Sequence, residues 1–213
     1  MIDHEVKTQM FYALIKRLFD IMAGIIGVVI FIPAYLLIRI AYVFRGDFHR
    51  IVYSQIRLGK RGKKFHILKF RSMVWNAESQ LEELLKQEKY REQWEKFQKL
   101  EDDPRITKVG KIIRRGSIDE IPQFVNVLFG QMAMVGPRPL VPGELEEHKG
   151  DPCKYLSVKP GMTGYWATRG RSDNDYDDRL KMEYYYVENR GFLLDLKILF
   201  RTVKIVIKGS GAK

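Results

Sequence analysis

The chain of 213 residues has very few of the residues that build disulfide frameworks and zinc sites. It contains one cysteine, Cys153, which excludes an intramolecular disulfide. Its four histidines are scattered along the sequence, so a His/Cys zinc site is not predicted. It also has no Walker motif, no glycine-rich dinucleotide fingerprint and no internal repeat. These absences argue against a disulfide scaffold, a zinc protein and a solenoid.

Negative charge is also scarce. The chain has 37 Lys and Arg against 26 Asp and Glu, which leaves a formal net charge of +11. Hydrophobic residues at 46% and aromatic residues at 12% exclude a disordered chain, and the length permits one domain with a substantial core. The positive excess predicts an anionic partner: a nucleic acid, a phosphorylated ligand or an acidic membrane surface.

An uncharged run, IMAGIIGVVIFIPAYLLI, lies between Asp20 and Arg39. As a straight helix it would extend about 27 Å, close to the thickness of a hydrocarbon core. Its Ile, Leu, Val and Phe residues would favour membrane insertion by about 3–7 kcal/mol. No small-residue cleavage site follows, so a cleavable signal peptide is not predicted. A buried core helix of a soluble protein is the alternative interpretation.

Pro33 and the flanking charges argue against a simple membrane-spanning helix. Pro33 lacks a backbone donor and clashes with the preceding turn, which predicts a break in the helix. Basic residues flank the run on both sides, and the positive-inside tendency favours the cytoplasm for both. We therefore predict a re-entrant helix-break-helix that enters and leaves the membrane on its cytoplasmic face.

The rest of the sequence predicts a small, helix-rich, mixed α/β domain. Short strands are expected within Tyr53–Met73 around a basic turn, and the charged segment Ala77–Leu100 is expected to be one amphipathic helical insertion. Four basic residues form one stripe of a helix in Leu193–Lys208. This helix either lies on a membrane surface or packs in the core with a solvated basic edge. We assign 1–45 to an N-terminal segment with the membrane hairpin, and 46–213 to a membrane-surface catalytic domain.

The segment SIDEIPQ, Ser117–Gln123, has two interpretations. Ser117 and Glu120 have the spacing of a capping box, so a helix is expected to begin here, and the two residues need do no more than cap it. In the functional interpretation, Asp119 adds a carboxylate at a helix N-terminus, where the dipole stabilises it and attracts phosphate. Adjacent helical residues point about 100° apart, which favours a division of labour. One carboxylate would attack a substrate while the other holds a metal.

Basic residues surround this acidic pair in the sequence. Arg138 lies between two prolines in GPRP, a stiff setting suited to clamping phosphate oxygens. A carboxylate nucleophile, a Mg²⁺-binding partner and guanidinium groups together predict a phosphoryl-transfer site. The bases that precede the pair are Arg105, Lys108, Lys111, Arg114 and Arg115.

The same residues resemble a known family. The chain is similar to the bacterial monotopic phosphoglycosyl transferases, or initiating sugar transferases, above all in DPRITKVGKIIRRGSIDEIPQFVNVLFGQMAMVGPRP, Asp103–Pro139. Weaker similarity lies in KRLFD, QIRLGKRGKKFHILKFRSM, KPGMTG and DLKILFRTVKIVI, and the resemblance extends from about Lys16 to Lys208. The DE-x-PQ and GPRP motifs at this separation are its most specific part.

The resemblance implies transfer of a phospho-sugar from a UDP-sugar to polyprenyl (undecaprenyl) phosphate, with release of UMP, at the start of exopolysaccharide, capsule or lipopolysaccharide synthesis. By motif position, Asp119 would be the nucleophile that forms a covalent phospho-sugar enzyme in a ping-pong reaction. Glu120 would be the second catalytic carboxylate and would bind Mg²⁺. Lys69, Arg114 and Arg138 would bind phosphate.

The resemblance also implies that Arg171 lies near the sugar or nucleotide. The enzyme would contact membrane lipids at the cytoplasmic face of the bacterial inner membrane and would have no nucleic-acid partner; a homodimer is compatible with such an enzyme. One departure concerns the hairpin, because many members have Ser directly before the hairpin proline and this chain has Ile32.

Two other functions stay open at this point. Asp173-Asn174-Asp175 is a DxD sequence, which a metal-dependent inverting glycosyltransferase would use while releasing UDP. A non-enzymatic, basic membrane-attached module would bind nucleic acid or an acidic partner, and its binding would depend strongly on salt.

Overall fold

The computed structural model describes residues 2–97, 100–169 and 175–208. Within these ranges helices predominate over four short strands, so the prediction of a helix-rich mixed α/β chain is confirmed. The elements are α1 (Ile2–Val43), β1 (Val52–Leu58), β2 (Lys64–Phe70), α2 (Ala77–Leu84), α3 (Glu88–Phe97), α4 (Lys108–Arg115), α5 (Gln123–Leu128), β3 (Ala133–Val135), α6 (Glu144–Glu147), α7 (Pro152–Tyr155), β4 (Gly161–Thr163), α8 (Tyr176–Asn189) and α9 (Phe192–Lys208).

Helix α1 contains the uncharged run and continues through Pro33. This differs from the predicted helix-break-helix. A proline removes only one backbone hydrogen bond of the ladder, and the bonds on either side are sufficient for the helix to continue. The segment Gln9–Val43 is long and apolar enough to cross a membrane, and it is the only such helix among the described residues. Most of its large side chains, including Ile25, Val29 and Leu37, are exposed.

Polar side chains near the start of α1 bind groups that lie far away in the sequence. Lys16 donates to Asp195 of α9, with Nζ and Oδ2 2.5 Å apart. Arg17 donates to the carbonyls of Val127 and Leu128, which end α5. A cation at a helix C-terminus satisfies carbonyls that have no partner within the helix, so Arg17 caps α5 from outside.

Two glycines let the middle of α1 approach α5 closely. A Cβ on Gly24 would lie 2.9 Å from Cβ of Leu128, and one on Gly27 would lie 1.9 Å from Cγ of Phe124. Further along, Tyr42 is buried, and its hydroxyl donates to the carbonyl of Arg71. Helix α1 therefore packs against the globular part near its start, in its middle and near its end.

Strands β1 and β2 form an antiparallel hairpin with Val52 opposite Phe70 and Tyr53 opposite Lys69. Successive side chains of a strand alternate between its two faces. Phe70 therefore faces the cluster around Tyr42 and Ile113, whereas Lys69 lies on the other face. This hairpin confirms the strands predicted within 53–73. The face that bears Lys69 also carries the buried Phe65 and Ile67, so both faces of the hairpin bury apolar side chains.

Strands β3 and β4 are parallel, with Ala133 paired to Gly161 and Val135 to Thr163. The GPRP and KPGMTG segments are therefore neighbours, although 19 residues separate them in the sequence. The approach is close, because a Cβ on Gly136 would lie 2.5 Å from the carbonyl oxygen of Lys159. Only glycine fits here.

Of the two amphipathic helices predicted from the sequence, one is present as predicted and one is not. The helix predicted for 193–208 is present as α9, which begins at Phe192. The single helix predicted for 77–100 is wrong, because the segment forms α2 and α3, with Leu85–Gln87 between them outside helical structure. The apolar residues Tyr90 and Trp94 of α3 lie about half a turn out of phase with Leu81 of α2 and with Leu85 directly after it, and this change of phase is the mark that the interruption leaves in the sequence.

Candidate active site

The acidic pair lies in a short 3₁₀ turn, Ile118–Glu120, rather than at the start of a longer helix. Ser117 before it has a left-handed backbone, with φ of 53°, and its side chain makes no capping hydrogen bond. The predicted capping box is therefore wrong. The positive φ turns the chain sharply after α4, and α5 begins only after Pro122. The carboxylate of Glu120 is thereby free to point at another element.

Lys69 is the partner of Glu120. Its Nζ lies 3.1 Å from Oε1 of Glu120, and each side chain is a little over one-third exposed, at 35% and 37%. Strand alternation places Lys69 on the hairpin face opposite Phe70. An ion pair this exposed contributes little to the stability of the fold. Both side chains are accessible from solvent, so a ligand can reach them.

Asp119 is half-buried. Burial raises the pKa of the Asp119 carboxyl to about 6; the nearby Lys69 and Arg114 cations oppose this rise, and the Glu120 carboxylate reinforces it. The structure thus brings together four of the predicted site residues. A carboxyl whose pKa is shifted by burial and by specific charged neighbours is typical of a functional site.

Helix α4 positions Arg114. Gly110 in its first turn packs on the backbone of Ser72, because a Cβ there would lie 1.8 Å from the Ser72 carbonyl oxygen. Thr107 caps the helix through its side chain, and its backbone N–H donates to the same carbonyl. Arg114 Nε then donates to the Ser72 hydroxyl at 2.7 Å, and its other guanidinium nitrogens are available to an anion.

The other bases that precede the acidic pair do not join this group. Arg105 is buried in a bidentate ion pair with Asp103, with the closest nitrogen and oxygen 2.7 Å apart. Lys108, Lys111 and Arg115 are exposed. Arg105 therefore supports the fold beneath α4 rather than binding phosphate.

Arg138 belongs to a second basic group at the GPRP segment. Its side chain is exposed, and the next carbonyl, of Pro139, accepts from Nη1 of Arg57 at 3.1 Å. Burial and the nearby Arg138 cation lower the pKa of Arg57 to about 10, opposed by Glu144. Arg57 and Lys69 share one face of the hairpin, separated by four residues along it, or about 13 Å. The site thus has two centres of positive charge on that face.

Three residues that the sequence predicts for a site lie outside the described part of the chain: Arg171, Asp173 and Asn174, the last two from the DxD sequence. Three residues that the sequence analysis missed hold the GPRP segment: Arg57, Tyr155 and Glu183. No local pattern marks them, because their partners lie 82, 17 and 45 residues away in the chain.

The acidic pair fits Mg²⁺ in its donor chemistry. Mg²⁺ is bound by one or two protein carboxylates, with phosphate oxygens and water completing its coordination. Within 2–97, 100–169 and 175–208, no group of three or more His, Cys, Asp and Glu side chains is placed to hold a metal. The adjacent carboxylates of Asp119 and Glu120 would supply the one or two protein ligands that such a Mg²⁺ needs.

Comparison with known sequences decides the family. The model of the family described as bacterial sugar transferase matches residues 11–209. This chain belongs to that family. The resemblance predicted from the DE-x-PQ and GPRP motifs is thereby confirmed, and so is the classification of the chain as a transferase enzyme. The match includes α1 from its residue 11 onwards as well as the globular part, so the apolar helix belongs to the family pattern.

Curated relatives of this sugar transferase differ in the sugars that their names contain. The undecaprenyl-phosphate galactose phosphotransferase of Salmonella typhimurium is 46% identical over 93% of this chain and 41% of its own length. An N-acetylgalactosaminephosphotransferase of Aeromonas hydrophila, also named for undecaprenyl phosphate, is 34% identical over 95% of this chain and 46% of its own. The chain thus spans less than half of each. The exopolysaccharide production protein ExoY of Rhizobium meliloti is 39% identical over 92% of this chain and 87% of its own.

Proposed function

We propose that this sugar transferase moves a sugar-1-phosphate from a UDP-sugar to polyprenyl phosphate and releases UMP, at the start of exopolysaccharide or capsule synthesis. The names of the relatives support the acceptor and the transferred group. The observation that carries the mechanism is the partly buried Asp119, which lies next to Glu120 and close enough to Lys69 and Arg114 for both cations to act on its carboxyl. A carboxylate in a cationic pocket is suited to attack on phosphorus, because the cations neutralise the charge of the incoming phosphate.

In the first half-reaction, an oxygen of Asp119 attacks the phosphorus that bears the sugar. The bond from this phosphorus to the bridging oxygen breaks, and UMP leaves with the bond's electrons. Lys69 and Arg114 bind the phosphate oxygens during this displacement. In the second half-reaction, a phosphate oxygen of the lipid attacks the same phosphorus and releases the Asp119 carboxylate. A bound Mg²⁺, held by Glu120, would neutralise charge on the transferred phosphate.

The test of this proposal is the identity of the released nucleotide. The chain is incubated with Mg²⁺, polyprenyl phosphate and, in turn, UDP-galactose, UDP-N-acetylgalactosamine, UDP-glucose and UDP-N-acetylglucosamine. UMP, formed in proportion to lipid-linked product, is the expected result. Release of UDP would contradict the proposal and favour the inverting glycosyltransferase.

The packing of α1 supports a position on one side of the membrane. A helix that contacts the globular part near Lys16, at Gly27 and at Tyr42 does not extend away from it, as a spanning helix would. Its uncovered side is apolar along most of its length and would lie in lipid. We therefore propose that α1 lies along the membrane without crossing it, with both of its flanks on the cytoplasmic face, as the basic residues on both sides predict.

Cysteine labelling tests this topology. Cysteines replace Thr8 and Ser54, one on each side of the apolar run, in a chain in which the exposed Cys153 is changed to Ser. A membrane-impermeant maleimide is expected to label both positions in inverted membrane vesicles and neither position in intact cells. Labelling of the two positions from opposite sides would show a spanning helix instead.

A further inference from the structure

The backbone of Arg138 is held on both sides by buried side chains from other elements. Its N–H donates to Oε1 of Glu183 in α8 at 3.0 Å. Its carbonyl accepts from the hydroxyl of Tyr155 in α7, also at 3.0 Å. The Arg138 side chain itself is exposed. The peptide groups of this residue are therefore fixed while its guanidinium projects into solvent.

Glu183 is an unusual residue to find in this position. It is 1% exposed, and its second oxygen, Oε2, has no hydrogen-bond partner among the described residues. Burial raises the pKa of the Glu183 carboxyl to about 7, opposed by the Arg138 N–H and by the Arg179 and Arg138 cations. A carboxyl buried with one oxygen unpaired is unfavourable for stability. Stability therefore does not explain why this residue is a glutamate.

The surroundings of Glu183 also leave polar atoms unpaired. Nε of Arg57, Nε of Arg179 and Nε1 of Trp166 are buried without a hydrogen-bond partner in the described part of the chain. Arg57 and Arg179 both approach Glu144, at 3.9 Å and 3.1 Å. A buried polar cluster in which several atoms have no hydrogen-bond partner adds little to the stability of the fold. The hydrogen bonds that it does make are directional, so they fix the orientation of the groups they join.

We propose that Glu183 is a positioning residue for Arg138 and sets where the Arg138 guanidinium meets the phosphate of the donor. This inference rests on the proposed function and on the phosphate-binding role that the family resemblance implies for Arg138. Glu183 does not touch the substrate. It fixes the N–H of Arg138, and Tyr155 fixes the carbonyl, so the side chain leaves the GPRP backbone in one direction. Misplacement of a binding group by about 1 Å can cost roughly 100-fold in rate.

The experiment compares two substitutions of Glu183 of similar size. Glu183→Met removes the acceptor, and Glu183→Gln keeps a carbonyl oxygen for the Arg138 N–H. We expect kcat/KM for the UDP-sugar to fall about 10- to 100-fold in the Met variant and most of the loss to be recovered in the Gln variant. In an Arg138→Met background, Glu183→Met is expected to cause no further loss, because the group it positions is absent.

The outcomes separate this inference from the proposed function. If Arg138→Met impairs transfer and Glu183→Met lowers it further by its full factor, Glu183 does not act through Arg138 and the inference is wrong. If Arg138→Met transfers as well as wild type, Arg138 does not bind the donor phosphate and the inference is wrong, although the proposed function stands. If the wild-type chain releases UDP, the proposed function itself fails. Should Glu183→Met not fold, Tyr155→Phe replaces it, since it removes only the hydroxyl that binds the Arg138 carbonyl. The loss of transfer caused by Tyr155→Phe must likewise be absent in the Arg138→Met background.

Discussion

Asp119→Asn is expected to reduce transfer at least about 1000-fold and at the same time to stabilise the protein. The activity falls because an amide is not a nucleophile toward phosphorus, so the covalent intermediate does not form. The stability rises because burial makes ionisation of the Asp119 carboxyl unfavourable in the folded chain, and an amide has no charge to bury. Nucleotide release and the thermal unfolding midpoint, measured on the same preparation, test both effects.

The pH dependence of this stabilisation has a definite sign. The pKa of Asp119 is raised from its ordinary value of 3.8 to about 6 in the folded chain. Below both values the carboxyl is protonated in the folded and unfolded states, so the two variants should unfold at the same temperature near pH 3.5. Above about pH 6 the carboxylate of the wild type costs about 3 kcal/mol, and the Asn variant should unfold about 6–12 °C higher.

Asp102→Asn is the matched control, because it removes one negative charge from an exposed residue. It should leave both transfer and the unfolding midpoint unchanged. A lower midpoint for Asp119→Asn than for wild type at pH 7.5 would contradict the assignment of Asp119 as a carboxylate destabilised by burial.

Gly110→Ala has the second largest expected effect, although alanine is the better helix former by about 1 kcal/mol. The new Cβ would lie 1.8 Å from the carbonyl oxygen of Ser72, and backbone cannot move aside as a side chain can. Helix α4 must shift, which breaks the bond from Arg114 to the Ser72 hydroxyl. We expect a loss of about 3 kcal/mol, or about 6–12 °C in unfolding midpoint, together with impaired transfer.

Gly191→Ala provides the control for this substitution, because a Cβ at Gly191 meets nothing within 4 Å. Its effect on the unfolding midpoint should be small. Equal losses for the two alanine variants would show that the packing of α4 on Ser72 does not set the position of Arg114.

Local patterns in the sequence predict the parts of the fold that depend on local rules. The 3.6-residue spacing of basic and apolar residues predicts α9, and alternating side chains with a basic turn predict the hairpin that bears Lys69. The DE-x-PQ and GPRP motifs point to Asp119, Glu120 and Arg138. In these cases the residues that determine the feature lie within a few positions of one another.

The remaining features depend on distant contacts or on backbone angles that residue type does not encode. Ser117 has a positive φ, although serine rarely adopts it, and this conformation replaces the predicted capping box. Glu183 lies in a charged helix segment, YDDRLKMEYYYVEN, where a glutamate is ordinarily solvated. Its burial follows from the packing of α8 against a loop 45 residues earlier, which no local pattern contains.

The contacts of α1 with the rest of the chain can form only late in synthesis. The chain is synthesised from its N-terminus, and the partners of Asp20 and Lys16 lie 114 and 179 residues later. At about 5–20 residues per second, these partners emerge from the ribosome roughly 5–40 s after the helix itself. In the membrane arrangement proposed above, water and lipid headgroups would solvate Lys16, Arg17 and Asp20 during this interval. Because these charged residues lie at one end of the apolar run and not within it, α1 would remain at the membrane surface until the later part of the chain is synthesised.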